Sequence, residues 1–355
     1  MTRAEHPQRR CEQGYVLLFV TLSLVVIAFV ATRFALRLDE HRARAGQMQA
    51  FAQAKAQAIS ARSLALYWLA TRPLGLSSSG FLDEQPLVLD GRTYTLPQGV
   101  RIRLQDERGL LSVNALDRDY WRAALLAAGA TQEQAAAYMD VLEDYVDADS
   151  LRRLNGAEAS DYQLQSLPPP RNDWILSTQE LARMPGWAQH PDTLQRMLPW
   201  LGVHRDKFLN PNTAPLPLLM ALWPRVAPEQ WRLFETLRKQ SPFADTVSLM
   251  AATGVAIPAS DSLLFHASNA VRISVSAPGL PQAYEYNALL LPAGSYAPWW
   301  IHEIRLSPSF AVSAEQTKDG LQRNDAAALA DSTATPFPTP SRAVAVPAKA
   351  ANATP

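Results

Sequence analysis

Five carboxylates crowd one short stretch of the chain: Asp144, Asp147, Asp149, Glu158 and Asp161. Several carboxylates on one loop can wrap Ca2+, a hard cation that takes ~6–8 oxygen ligands at about 2.3–2.6 Å. Asn155 and backbone carbonyls supply further oxygens for such a shell. The stretch is not an EF-hand: Leu151 stands where the third acidic ligand would fall, and the turn glycine is missing. A solvated loop beside an ordinary helix end accounts for the same residues without a metal, and spacing alone leaves both readings open.

Other chemistry is hard to find. There is no Gly-x-Ser-x-Gly, no His-Glu-x-x-His and no Gly-x-x-x-x-Gly-Lys, so no enzyme activity is expected. His190, His204, His266 and His302 lack metal-ligand spacing and read as surface or capping residues. Leu181-Ala-Arg-Met-Pro-Gly186 has a helix-hairpin-helix flavour, but no second glycine or basic cluster follows it, so it reads as structural. Lys plus Arg and Asp plus Glu number 33 each, and this zero balance steers the chain toward no polyanion. The only cysteine, Cys11, precedes a long apolar run and can form no intramolecular disulfide.

The elements that must carry the acidic loop begin with that run. Tyr15 to Thr32 holds no charge, and at ~1.5 Å per residue it spans roughly 27 Å, close to the thickness of a bilayer core. Good helix formers continue the helix to about Leu69, where Thr71-Arg72-Pro73 stops it. Met48, Phe51, Ile59, Leu66 and Leu69 fall in one wedge of that helix, predicting a face packed on a soluble domain. Leu87 to Leu96 reads as a hairpin turned at Asp90-Gly91. Val100 to Leu104 alternates as a half-buried strand does, and Gly109 to Val113 extends the sheet.

Helical periodicity then runs from Ala115 to about His266, with capping boxes at Thr131/Gln134 and Ser177/Glu180 and prolines 215 and 228 at helix starts. Leu181 to Gly186 and Leu249 to Gly254 echo one another as helix-turn units. Strands return at Val271–Val275, Ala283–Leu291 and Trp299–Leu306; Trp299 and Trp300 could serve as an interface anchor, but two aromatics in a terminal strand are more often core.

The predicted class is α+β. A long amino-terminal helix lies on a small antiparallel sheet, with an all-α domain of helix-hairpin-helix type inserted. The expected boundaries are a leader at 1–14, a membrane part of the helix at 15–32 and its soluble part at 33–70. An α/β domain follows at 71–114 and 267–310, interrupted by the insertion at 115–266. A Pro/Ala-rich tail at 311–355 is expected to be disordered.

A short basic leader ending in Gly14, then Tyr15 and the apolar run, resembles the cleavage site of type IV pilin-like precursors. A sharper likeness lies in an ordered series: Asp106 to Asn114, Asp144-Tyr-Val-Asp147-Ala-Asp149, Asn155-Gly-Ala-Glu158, Tyr162, Leu176 to Leu181, and Asn210-Pro-Asn212-Thr213-Ala214-Pro215. This series resembles the K-type minor pseudopilins of the type II secretion system. Major pseudopilins carry a glutamate at the fifth mature residue. Here that place is Phe19, as K-type subunits also typically lack the acid. The chain departs from the family in Tyr15, in Ala159 and in Arg152-Arg153 inside the acidic loop.

The resemblance implies that a prepilin peptidase cuts after Gly14 and that Tyr15 is then methylated. It implies Ca2+ held by Asp147, Asp149, Glu158 and Asp161. It implies a single-pass inner-membrane protein, cytoplasmic at its amino terminus and periplasmic in bulk. Such a subunit caps a periplasmic pseudopilus with I-type and J-type minor pseudopilins above the major pseudopilin, and can contact secreted substrate proteins. Two rivals are a membrane-tethered DNA-binding protein of an uptake machine and an anchored periplasmic hydrolase. The missing basic patch argues against the first, so no nucleic-acid partner is expected, and the missing catalytic constellation argues against the second.

Overall fold

The structure is a computed structural model that describes residues 12–83, 85–258, 260–291, 294, 297–308 and 335–337. The chain forms two units, residues up to Ala56 and residues from Gln57 onward. The first consists of most of helix α1 (Glu12–Thr71). By length and composition α1 can cross a membrane, and none of its most apolar stretch is buried. Thr21 and Thr32 return their hydroxyls to the carbonyls one turn earlier, so these polar groups are satisfied within the helix.

In the second unit α1 ends at Thr71, before Pro73. Its buried face here is Ala58, Ala61, Ala65, Leu66, Trp68 and Leu69. This corrects the predicted wedge: Leu66 and Leu69 are buried, but Met48, Phe51 and Ile59 are exposed. Alanines at helical spacing let a helix backbone lie close to its neighbours, and Leu66, Trp68 and Leu69 fill the face toward the end of the helix.

The remaining elements follow in order. Strands β1 (Ser78–Ser79), β2 (Leu87–Val88), β3 (Asp90–Thr95), β4 (Arg101–Asp106) and β5 (Leu111–Ser112) come first. Helices α2 (Arg118–Ala127), α3 (Gln132–Val146), α4 (Ala159–Leu164) and α5 (Pro191–Met197) lead to strand β6 (Leu201–Gly202). Helices α6 (Leu216–Leu222), α7 (Pro228–Gln240) and α8 (Thr246–Thr253) precede β7 (Ala270–Ser276), β8 (Gln282–Leu290), β9 (Trp299–Pro308) and β10 (Thr335–Pro336).

The main sheet has the order β10-β3-β4-β7-β8-β9 and is antiparallel except for the β10/β3 pair. In β4, Ile102 and Leu104 are fully buried and pair with Val275 and Ile273, as their alternation predicts. The helices between β5 and β7 bury one continuous apolar core from Leu111 to Phe265. Trp121 and Trp187 meet edge-on at 6.3 Å in it, and their indole N–H groups donate to the carbonyls of Ser112 and Tyr138. The Thr131/Gln134 capping box forms as read. The echoed units also match: Leu181 and Leu249 are fully buried, and each unit closes on a glycine with positive φ, Gly186 and Gly254.

Four further expectations need correction. Asp90-Gly91 is no hairpin turn but an irregularity within β3, where the register to β4 shifts between Asp90 and Thr93. Asp90 spends its carboxylate on the Arg92 amide and guanidinium, and Gly91 at φ +79° takes a bulge conformation. The β3–β4 hairpin instead turns at residues 97–99, and β2 pairs with β1. The segment from Gly109 forms β5, which pairs in parallel with β6 outside the main sheet. Trp300 is 52% exposed and Trp299 is only half-buried, because β9 lies at the sheet edge. Part of the tail is ordered, as β10 and Phe337. Its other residues and the leader to Cys11 lie outside the described residues.

Candidate functional site

The acidic loop links α3 to α4. Helix α3 ends with Asp147 as its C-cap, and α4 has as its N-cap Glu158, whose amide is held by the Asp161 carboxylate at 2.9 Å. Asp144, in the last turn of α3, is fully buried. A Cβ at Gly156 would collide with its carboxylate, so the loop backbone closes over Asp144 only because residue 156 is glycine.

The cation between these acids is Arg153. Its Nη1 lies 2.5 Å from Asp144 Oδ1 and 2.6 Å from Asp147 Oδ2, and its Nε lies 3.0 Å from Glu143. The Arg153 amide also donates to Asp144 Oδ2 at 3.1 Å. Arg118 continues the ladder to Asp140 and Glu143 at 2.7 and 2.5 Å. Asp161 pairs with Arg152 at 3.3 Å, and Asp149 accepts from the Leu151 amide at 2.8 Å. Asn155 faces Asp140 rather than the loop carboxylates.

Two buried oxygens, Asp147 Oδ1 and Glu158 Oε1, have no hydrogen-bond partner. Burial pushes the Glu158 carboxyl up, and Asp144, Asp147, Asp149 and Asp161 push it further in the same direction. The donor chemistry therefore suits a hard cation. Among the described residues, however, no three acids or imidazoles stand together as metal ligands. The guanidinium fills the place between Asp144 and Asp147, so a metal ion fits only if Arg153 withdraws.

A second constellation lies where the helical block joins the sheet. Asp106, at the end of β4, is fully buried. Its carboxylate accepts from the Ser268 amide and hydroxyl at 2.9 and 2.7 Å, from Thr213 Oγ1 at 2.8 Å and from Asn210 Nδ2 at 3.2 Å. Burial pushes its carboxyl up, while these donors oppose that shift. Glu107 accepts from the Val203 amide at 2.8 Å and pairs with Arg272 at 2.8 Å. Arg272 in turn donates to the Leu201 carbonyl, and Arg305 bridges Glu285 to Thr178. Asn114 bonds the backbone of Ile175 and Val203, and Asn212 that of Phe243. The quoted Asp106–Asn114 and Asn210–Pro215 motifs thus join the strand end to the insertion. Sequence reading had the motifs but not this role. The available signal was the placement of charged residues directly after an alternating strand.

His204 also departs from its reading as a surface or capping residue. It is buried, and neither ring nitrogen has a hydrogen-bond partner. Burial lowers its pKa below the usual 6.5, against the opposing pull of Glu107, Asp206 and Asp106. A depressed folded-state pKa adds stability above the unfolded value, and that stability is lost as pH falls. Thermal stability is therefore expected to decline as pH drops from about 6.5, and less steeply in His204→Gln. Melting scans across that range check this, and equal slopes would contradict it. In the helix-hairpin-helix-like turn, Gly186 lies against the Tyr138 ring.

Residues 102–206, which hold β4, the junction acids and the acidic loop, match the family "Type II secretion system (T2SS), protein K". That stretch of the chain is thus similar to the type II secretion protein K family. The chain is also similar to the "Putative type II secretion system protein K" of Escherichia coli K12, at 26% identity over 214 residues. That match covers 54% of this chain and 62% of the relative, less than two thirds of its length. Among solved structures, the chain resembles one in the crystal structure of the GspK-GspI-GspJ complex from the enterotoxigenic E. coli type 2 secretion system. The TM-score is 0.53 at 18% identity, over 75% of this chain and all of the other. That likeness shows a shared fold.

Proposed function

We propose that this protein is a minor pseudopilin of the type II secretion system, seated at the tip of the pseudopilus, where it helps initiate assembly and protein export. The observation that carries this reading is the match of residues 102–206 to the protein K family, in a chain that also has an antiparallel sheet and a membrane-length helix. No acid lies between Tyr15 and Thr32, and Phe19 takes the fifth position after Gly14. A buried carboxylate in a bilayer needs a partner, and a subunit with no neighbour above it would have none. A helical insertion of about 150 residues is roughly 30 Å across, wider than a place between stacked subunits would accept.

The reading carries inner-membrane anchoring with the amino terminus in the cytoplasm, cleavage by prepilin peptidase between Gly14 and Tyr15, and methylation of Tyr15. Its partners are I-type and J-type minor pseudopilins, then the major pseudopilin and secreted substrates. Trp300, Ile304 and Leu306 are exposed on β9, at the sheet edge, and an apolar edge strand suits a protein partner. Purification of the full chain from membranes tests both points. It should retain the I-type and J-type subunits, and sequencing should begin at Tyr15. Recovery alone, or a mature chain starting near Ala31, would contradict the reading.

Ca2+ is the proposed ligand of the acidic loop, with Asp147, Asp149, Glu158 and Asp161 as its acids and Arg153 as its competitor. When bound, it would supply positive charge to oxygens that now share a guanidinium or lack a partner.

A further inference from the structure

The main sheet has two lateral edges. At one, β3 is met by three residues from far along the chain. Thr335 lies opposite Tyr94 and Pro336 opposite Thr95 in parallel register, and the Phe337 amide donates to the Thr95 carbonyl at 3.1 Å. The Phe337 side chain is buried between two rings. It stands edge-on to Trp68 at 6.1 Å and 73°, and to Tyr94 at 5.9 Å and 80°.

Both rings are fixed by contacts of their own. The Tyr94 hydroxyl, pushed up to about 12 by burial, stays protonated, donates to the Val88 carbonyl at 3.1 Å and accepts from the Val88 amide at 2.7 Å. The Arg72 guanidinium lies 3.6 Å from the centre of the Trp68 ring and is anchored by Asp83 at 2.7 Å. An aromatic notch beside a backbone acceptor therefore exists without any contribution from the tail.

Chain composition limits how far the pairing extends. Pro336 has no amide hydrogen, and Pro338 and Pro340 follow, so no long ladder can form. Recognition rests on one aromatic side chain and a two-residue ladder, which makes the segment displaceable. Main-chain pairing for affinity with a side-chain pocket for specificity is the mode by which extended peptides add to sheet edges.

We infer that the β3 edge and the Trp68–Tyr94 notch form a recognition site for extended peptides with an aromatic residue after proline, held in cis by the chain's own Thr335–Phe337. A partner segment of this kind gains the site by displacing the tail. The tethered copy competes at an effective concentration on the order of millimolar. Without it, β3 presents an open edge. This inference stands independently of the filament reading.

The probe is a labelled peptide with the sequence of residues 333–340, Thr-Ala-Thr-Pro-Phe-Pro-Thr-Pro. Its binding is measured by anisotropy to the full detergent-solubilised chain and to its Phe337→Ala variant. The variant should bind at least tenfold more tightly than the wild type, whose own tail occupies the notch. A peptide with alanine in place of its phenylalanine should bind neither. No binding to the variant overturns the recognition site, and equal binding to both proteins overturns occupancy in cis. Exchange at the Phe337 amide gives a second reading: protection is expected in the wild type, and the rate of an open chain would contradict the inference.

Discussion

Asp106→Ala is expected to lower the stability of the folded chain by roughly 3 kcal/mol, since it strands several buried donors at about 1–3 kcal/mol for each one left unsatisfied. Ser268, Thr213 and Asn210 all direct donors to this carboxylate, and all are buried. The loss falls between the end of β4, the Asn210 turn and the start of β7, so both the sheet and the helical block should loosen. For a domain of this size the melting temperature should fall by roughly 6–12 °C. Asp106→Asn keeps one acceptor oxygen but turns an amide donor toward other donors, so it should recover little. A change below about 1 kcal/mol, seen by thermal unfolding in detergent, would mean that the network contributes little to joining the two parts.

The second large effect belongs to Arg153. Arg153→Ala removes the cation from Asp144, which is fully exposed to no solvent, and from Asp147 and Glu143. Breaking a fully buried pair costs about 3–5 kcal/mol. Arg153 is itself 37% exposed, so screening reduces the expected loss to roughly 2 kcal/mol. The same change vacates the place that Ca2+ would take. Millimolar Ca2+ should therefore restore most of the lost melting temperature in Arg153→Ala while moving the wild type only slightly. A ligand at a hundred times its dissociation constant contributes about 2.7 kcal/mol. If neither protein responds to calcium or chelator, the loop is held by arginine alone and the metal reading falls.

Much of the scaffold was legible from the chain. The end of α1, the alternation of β4, the strands β7 to β9 and the Thr131 cap each follow from local patterns that tertiary contacts reinforce. What escaped was set by distant residues. Asp90-Gly91 has the composition of a hairpin turn, but β3 pairs with β4, and Asp90 is taken by Arg92. The wedge from Met48 to Leu69 weighs size, whereas the buried face keeps only Leu66 and Leu69 of it and adds Ala58, Ala61, Ala65 and Trp68. Trp300 reads as core until β9 proves to be an edge strand. Phe337 sits in a stretch whose composition suggests disorder, and only the Trp68–Tyr94 notch gives it a place.

The candidate site shows the same division. Its acids stand out in the sequence, and so does Arg153 as a departure from the family. That Arg153 points inward and bridges Asp144 to Asp147, while Asn155 turns away to Asp140, depends on the loop closing over Gly156. Spacing carries no information about that closure.

The central claim is tested most directly by locating the protein in pseudopili purified from cells that express all the pseudopilins. Immunogold label directed at the helical insertion should appear at one end of each filament, with the protein far less abundant than the major subunit. Label along the whole shaft, or abundance near that of the major subunit, would contradict the account.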